Sequence, residues 1–255
     1  MKLYILGTCS GTEPMPNRHH TAIAFEINGR VYWFDAGETC SHTAYLMGVD
    51  MMAVSDIFIS HHHIDHTGGL PNLLWTVRKL SRKNKTNPKF GDITLHMPSK
   101  ECFDAVVGML KATTGNDTVN YGTVFHHIEE GIVLEDENIR VTAIRNHHIP
   151  DRNDGRLSYS FCIEAEGSKV IFSGDVKSLD DLAPFLDTGC DLLLMESGHH
   201  APETICAALA GGNVKKLYFL HHGRAILEDY DSMLEKCRVH FPSVMLGNDG
   251  DILEL

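Results

Sequence analysis

The sequence predicts an α/β (α+β) chain built as two β-sheets packed face to face and covered by helices, folded as a single domain over residues 1–255. Three observations predict it. Short segments rich in β-branched and aromatic residues recur from one end to the other. Segments with apolar residues at helical spacing fall between them. No linker divides the chain, and no repeat of fixed length is visible by eye.

The early strands read as "KLYILG", "TAIAFEIN", "RVYWFDAG" and "DIFISH". The later ones read as "ITLHMP", "RVTAIRNHH", "LSYSFCIEAEGSKVIFSGD", "CDLLLMES", "KKLYFLHH" and "SVMLGNDGDILEL". Asn28-Gly29 and Glu166-Gly167-Ser168 signal hairpin turns. Leu70, Leu73, Leu74, Val77 and Leu80 share one helical face, and helical spacing returns in "SKECFDAVVGMLK", "SLDDLAPFLD", "APETICAALA" and "ILEDYDSMLEKCRVHF". Ser99, Ser178 and Ser197 are candidate N-caps.

Composition narrows the function classes. With 43% hydrophobic residues the chain can bury a substantial core, and 22 basic against 34 acidic residues give a net charge of −12. Such a chain has no generic attraction to polyanions or anionic lipid. The seven cysteines are odd in number and contain no C-x-x-C pair, which fits reduced thiols in a cytoplasmic protein. The opening "MKLYILG" is too short an apolar run for a signal peptide, and no stretch approaches the roughly 20 apolar residues needed to cross a bilayer.

The polar residues mark the chemistry. Strand after strand ends in His, Asp or Glu: Asp35, His61, His147, Asp175, Glu196 and His221. Loops at the rim of a rigid scaffold are where such groups act. The densest stretch is "SHHHIDHTGG", which joins a strand to a helix and carries His61, His63, Asp65 and His66. Two residues apart in extended chain, His61 and His63 can face one point, while Asp65 and His66, after a turn, face a second. His62 points away. Gly68 and Gly69 are expected to let the chain reverse into the helix. Further along, "RNHHIP" offers His147 or His148, "FSGD" offers Asp175, and "YFLHHG" offers His221 or His222. With Asp175 bridging, each of two metals would have three or four protein ligands and an open position, which is a hydrolytic rather than a closed structural geometry. Imidazole and carboxylate suit Zn²⁺, Mn²⁺ or Fe²⁺, zinc first. A chance histidine run or tag scar fits less well, because the flanking strand and helix are well formed.

Other residues read more quietly. Asp35 is expected to orient a ligand histidine or brace a turn rather than bind metal. Arg18, His19, His20 and Arg224 sit on loops near the rim, where contact with a phosphate and simple solvation are equally open. His96, His126 and His127 fall outside the ligand order and read as structural or surface. The run "RKLSRKNKTNPK" reads as a solvated helix end, and Met47, Met51 and Met52 as packing.

The ordered set His61-x-His63-x-Asp65-His66, then His, Asp and His, resembles the metallo-β-lactamase superfamily over the whole chain. Within it, "LGTCSGTEPMPNR", "FDAGE" and "DIFISHHHIDHTGGLPNLL" are most similar to ribonuclease Z and related phosphodiesterases. The resemblance implies a four-layer αββα sandwich with a dinuclear site at one edge of the two sheets. It assigns His147 over His148 and His221 over His222, so the implied ligands are His61, His63, Asp65, His66, His147, Asp175 and His221. It adds Glu196 with His199 or His200 for proton transfer; Asp65 is counted with these as catalytic. The implied reaction is hydrolysis of a phosphodiester by a metal-bridging hydroxide, with His199 or His200 protonating the leaving oxygen. Homodimers are common among such relatives.

One departure matters. Ribonuclease Z proteins that mature tRNA insert a long arm between the third metal histidine and the bridging aspartate. Here only 27 residues, 148 to 174, separate His147 from Asp175. A small phosphodiester or ester is therefore the expected substrate, and tRNA is disfavoured. The rivals are a metal-dependent lactonase, thioesterase or glyoxalase-like hydrolase, a tRNA 3′-end endonuclease, and a non-catalytic metal sensor. A redox di-iron protein fits poorly, since no flavin domain is attached.

Overall fold

Apolar side chains fill three separate layers, and these layers define the architecture. A computed structural model describes residues 1–114, 121–151 and 156–255. Its strands are β1 (Lys2–Gly7), β2 (Ala22–Ile27), β3 (Arg30–Ala36), β4 (Val54–Phe58), β5 (Ile93–Met97), β6 (Thr123–His127), β7 (Gly131–Glu135), β8 (Arg140–Asn146), β9 (Ser158–Ala165), β10 (Ser168–Phe172), β11 (Cys190–Ser197), β12 (Val214–His222), β13 (Val244–Leu246) and β14 (Ile252–Glu254). They form two seven-stranded sheets, ordered β14-β1-β2-β3-β4-β5-β6 and β13-β12-β11-β10-β9-β8-β7.

The middle layer lies between the sheets, where Phe25, Phe34, Phe58, Phe161 and Phe172 pack together. Phe34 stacks on Phe58 with centroids 4.7 Å apart and meets Phe161 edge-on at 5.7 Å, the arrangements that aromatic quadrupoles favour. One outer layer packs the first sheet beneath α1 (Cys40–Leu46), α3 (Leu70–Asn84) and α4 (Lys100–Thr114); α2 (Ile64–Thr67) is a single turn of the metal loop. The other packs the second sheet beneath α5 (Ala183–Leu186), α6 (Pro202–Leu209), α7 (Arg224–Glu228) and α8 (Tyr230–His240). The result is the four-layer αββα sandwich that the resemblance implies. No helix among the described residues is long and apolar enough to cross a membrane.

Strand direction places the site. β3, β4, β5 and β6 pair in parallel, as do β10, β11, β12 and β13. Two successive antiparallel steps give β1 the sense of β3, and β8 the sense of β10. The C-terminal ends of β1, β3, β4, β8, β10, β11 and β12 therefore collect their trailing loops at one rim, where open α/β sheets place ligands.

The helical face read in the sequence is α3: Leu70, Leu73, Leu74 and Val77 are buried, and its last turn carries Arg82 and Lys83. Ser178 forms a capping box with Asp181, and Ser99 Oγ accepts from the Cys102 amide at 3.1 Å. Ser197 is no cap; it ends β11, and Ala201 precedes α6. "SVMLGNDGDILEL" is not one strand. β13 belongs to the second sheet and β14 to the first, so the Gly247–Asp251 segment crosses between sheets. Gly68 and Gly69 have ordinary helical angles, φ −61° and −86°. Close approach rather than chain reversal requires Gly69, since a Cβ there would lie 2.1 Å from Gly37 O. The turn after His148 runs partly through residues 152–155, outside the described residues.

Candidate metal centre

Three overlapping groups of donor atoms meet at the rim among the described residues: His61, His63, His148 and Asp175; Asp65, His66 and His221; and Asp175, His199 and His221. The loop after β4 supplies His61, His63, Asp65 and His66; the segments after β8, β10 and at the end of β12 supply His148, Asp175 and His221. At the first position His61 Nε2 lies 3.0 Å from His63 Nδ1, His63 Nδ1 lies 3.4 Å from His148 Nε2, and Asp175 Oδ2 lies 3.7 and 3.6 Å from the His61 and His148 nitrogens. At the second, His66 Nε2 and His221 Nε2 are 3.2 Å apart. Asp65 Oδ2 lies 3.4 and 3.3 Å from them, and Asp175 Oδ1 lies 3.4 and 3.3 Å from the same two nitrogens.

These spacings fit a tetrahedral cation. Bonds of about 2.0–2.1 Å from a Zn²⁺ centre set the donors about 3.3–3.4 Å apart. Asp175 Oδ1 gives a second sign: it is buried, and although the His66 and His221 nitrogens approach to 3.4 and 3.3 Å, no group among the described residues bonds it with good hydrogen-bond geometry. A carboxylate oxygen in that state is costly unless a cation faces it. The donor set of imidazole and carboxylate suits a borderline-to-hard divalent ion.

Surrounding residues aim the donors. Asp35 accepts from Ser60 N and Ser60 Oγ, both at 2.7 Å, and from His66 Nδ1 at 2.6 Å. Ser60 Oγ in turn accepts from His61 Nδ1 at 3.0 Å. Both imidazoles are thereby fixed as the tautomer whose Nε2 lone pair faces the centre. Asp35 acts through these partners and lies in none of the donor groups, as its strand-end position suggests.

The electrostatics agree with a cationic occupant. Burial, reinforced by the neighbouring His66, holds His61 well below the ordinary imidazole range; burial also lowers His63 and His148. All three are kept neutral, as ligation requires. Burial opposes charge on Asp65 and Asp175, but hydrogen bonds from His221 and His66 outweigh it at Asp65, and the positive charge of the same two rings outweighs it at Asp175, so both stay ionised. Burial also opposes charge on His66, yet Asp175 and Asp35 raise it well above its usual value. A cluster that pulls a proton onto a buried imidazole also attracts a metal cation in its place.

The paired histidines separate clearly. His148, not His147, faces the centre: side-chain exposures are 13% and 65%. β8 ends at Asn146 and the chain bends, so His147 turns outward and its Nδ1 donates to Asp181 Oδ1 at 2.6 Å. This corrects the expectation for His147. At the next pair His221 faces the centre; buried His222 donates from Nε2 to Gly247 O at 2.8 Å, and burial lowers it to about 3. His62 lies in none of the donor groups.

Glu196 is buried beside the centre. Burial opposes its charge, but hydrogen bonds from His199 and His200 hold it at about 2. His199 Nδ1 lies 3.1 Å from Glu196 Oε1 and 3.9 Å from Asp175 Oδ2, and its ring stacks 5.6 Å from that of His221. His200 Nε2 also lies 3.3 Å from Glu196 Oε1, but its nearer partner is Val176 O, at 3.0 Å. Of the two, His199 faces the donors. His63 and His199 are exposed while His61, His66, Asp175 and His221 are buried, so the centre has a closed floor and an open face.

The rim loops give Arg18 and Arg224 local partners. Arg18 Nη1 donates to Thr8 Oγ1 and Gly247 O at 2.8 and 2.7 Å, and Arg224 pairs with Glu13 at 2.7 Å. Buried His96 donates from Nε2 to Asp56 Oδ1 at 2.9 Å in the first sheet, away from the donor groups.

The sequence matches the family described as "Anti-Pycsar protein Apyc1" over residues 1–232. It is 31% identical over 304 residues to the ribonuclease Z of Methanothermobacter thermautotrophicus, covering 98% of this chain and 95% of that protein. Two solved structures share the fold over 100% of this chain and 99% of theirs. They are the metallo-β-lactamase fold protein YhfI from Bacillus subtilis, at 16% identity and a TM-score of 0.76, and the short form of human tRNase Z, at 19% and 0.72. By its family match, and by its likeness to ribonuclease Z along nearly its whole length, the chain belongs to the anti-Pycsar protein Apyc1 family within the metallo-β-lactamase superfamily.

Proposed function

We propose that this chain is a dinuclear metal-dependent phosphodiesterase acting on a small substrate. The observation that carries it is the placement of Asp175, with Oδ2 toward the first donor group and Oδ1 toward the second. His61, His63 and His148 would hold one ion, Asp65, His66 and His221 the other, and Asp175 would bridge them. When bound, such ions activate water and polarise a phosphoryl oxygen. Zinc fits the donor set first, with Mn²⁺ and Fe²⁺ as alternatives.

The chain's own residues do the rest. The open face between His63, His148 and His199 admits the ester. Asp35 and Ser60 keep the imidazoles from rotating. Glu196 accepts from His199 Nδ1, raises the affinity of that ring for a proton, and leaves Nε2 free to deliver one to a leaving oxygen.

A small substrate is favoured by the short 148–174 connection, which leaves no room for an RNA-gripping arm, and by the net charge of −12. The second reading, cleavage at the 3′ end of tRNA, is favoured by the ribonuclease Z relative, which matches this chain almost end to end. Parallel assays with bis-p-nitrophenyl phosphate, a lactone panel and a precursor tRNA at low salt separate these. Turnover of the phosphodiester, lost on metal removal and in His63→Ala, is expected. Full activity in the stripped protein or in that variant would refute the proposal, and turnover confined to lactones or to precursor tRNA would replace it with the corresponding reading.

A further inference from the structure

The Gly247–Asp251 crossing between the sheets touches the strand end that carries His221, where His222 Nε2 donates to Gly247 O at 2.8 Å. Within it, Asp249 makes an unusually complete set of contacts for one carboxylate. Its Oδ1 accepts from Thr8 N at 2.9 Å and Thr8 Oγ1 at 2.6 Å; its Oδ2 accepts from His19 N at 2.6 Å and His19 Nδ1 at 2.8 Å. Arg18 reinforces the tie, bonding Thr8 Oγ1, Gly247 O and Asn248 Oδ1. Both ends of the 8–20 loop are thus fastened to the same turn.

That loop bears on two donors of the second position, Asp65 and His221. Thr8 O accepts from His222 N at 2.6 Å, while His222 O accepts from Ser10 N at 3.2 Å and Ser10 Oγ at 2.8 Å. The residue after His221 is therefore gripped through its backbone on both sides, and its ring reaches back to Gly247 O. His221 itself sits at φ 50°, a left-handed conformation that a histidine holds only when its surroundings impose it. Gly11 rests against Asp65 so closely that a Cβ would lie 2.8 Å from Oδ2. Asp35 and Ser60 brace one ring in each position, His66 and His61, and the 8–20 loop adds its support at His221 and Asp65.

We propose that Asp249 is a positioning residue for the Asp65–His66–His221 position, clamping the 8–20 loop that holds His221 and Asp65 in place. The inference rests on the dinuclear reading above and deepens it, because it makes the two positions unequal. Asp249 also lies outside residues 1–232, the span of the family match.

The test is zinc binding by the full chain, read by elemental analysis after dialysis and by the visible spectrum during Co²⁺ titration. Wild type should hold two ions. Asp249→Ala should keep one and bind the second about 10–100-fold more weakly, as loss of a ligand's supporting partner does. Asp249→Asn, with one acceptor oxygen, should fall between, so the outcome survives if the alanine variant folds poorly. In a His63→Ala background, Asp249→Ala should weaken the remaining ion. Asp136→Ala is the control: Asp136 also accepts four hydrogen bonds, from Arg30, Tyr32, Asn138 and Ile139, at the opposite end of β3 from Asp35. It should bind both ions as wild type does. Equal affinity for both ions in Asp249→Ala, an equal loss at both positions, or the same loss in Asp136→Ala would overturn the inference. Fewer than two ions in wild type would instead overturn the dinuclear reading, and this inference with it.

Discussion

A single residue step decides which of two adjacent histidines meets the metal. His148→Ala should weaken metal binding and lower kcat/KM by at least about 100-fold, since it removes a donor outright. His147→Ala should change either by no more than a few-fold; equal losses would show that both act at the centre. The residue types and their spacing were legible because hydrolytic metals need imidazole and carboxylate at strand ends, and His61, His63, Asp65, His66 and Asp175 all read from that rule. The choice within His147-His148 was not legible, because it is set by where β8 stops and by Asp181, 34 positions away. Likewise His199 is told from His200 by contacts far along the chain, with Asp175 and His221 for the first and Val176 O for the second. Glu196→Gln should slow release of an alkoxide by about 100-fold or more, the usual worth of a positioned acid. The same variant should lose much less with a p-nitrophenolate leaving group, which needs no proton. Equal losses on both substrates would remove Glu196 and His199 from proton transfer.

Elements differ in how openly they declare themselves. α3 announces itself through four buried apolar residues at helical spacing and a proline in its first turn. Leu73→Ala there should cost about 2–5 kcal/mol of stability, measured by denaturant melts, as a buried leucine usually does. A cost under about 1 kcal/mol would mean that the helix is not anchored to the first sheet as described. α1 is silent by comparison. Its sequence CSHTAYL is short, no side chain caps it, and its preceding residue Thr39 is left-handed at φ 62°. Contact with the first sheet, not intrinsic preference, makes it a helix. β6 is not legible as a strand either, since TVFHH lacks apolar-polar alternation and lies mostly exposed at a sheet edge. The split of the last apolar stretch into β13 and β14 depends on which sheet each half finds, which no local pattern encodes.

At the scale of the molecule, the two sheets repeat one plan. From β14 and from β7 inward, three antiparallel pairings are followed by three parallel ones. The paired sheets and helical cover could be read from the strand and helix patterns; this repetition could not, because direction is a property of pairing. Since the donors come from both sheets, a bound cation should tie the halves together. At a free metal concentration about 1,000 times Kd, binding adds about 4 kcal/mol. A chelator should then lower Tm by roughly 10 °C for a chain of this size. An unchanged melting curve after verified metal removal would show that the sheets are joined without it.

Histidine 221 carries a further consequence. Its left-handed backbone disfavours every side chain except glycine's and, to a lesser degree, asparagine's. A library sorted for heat resistance alone, without metal, should drift toward those two residues at 221. One sorted for turnover should keep histidine, and the divergence between the two pools would measure how far durability and activity pull this site apart.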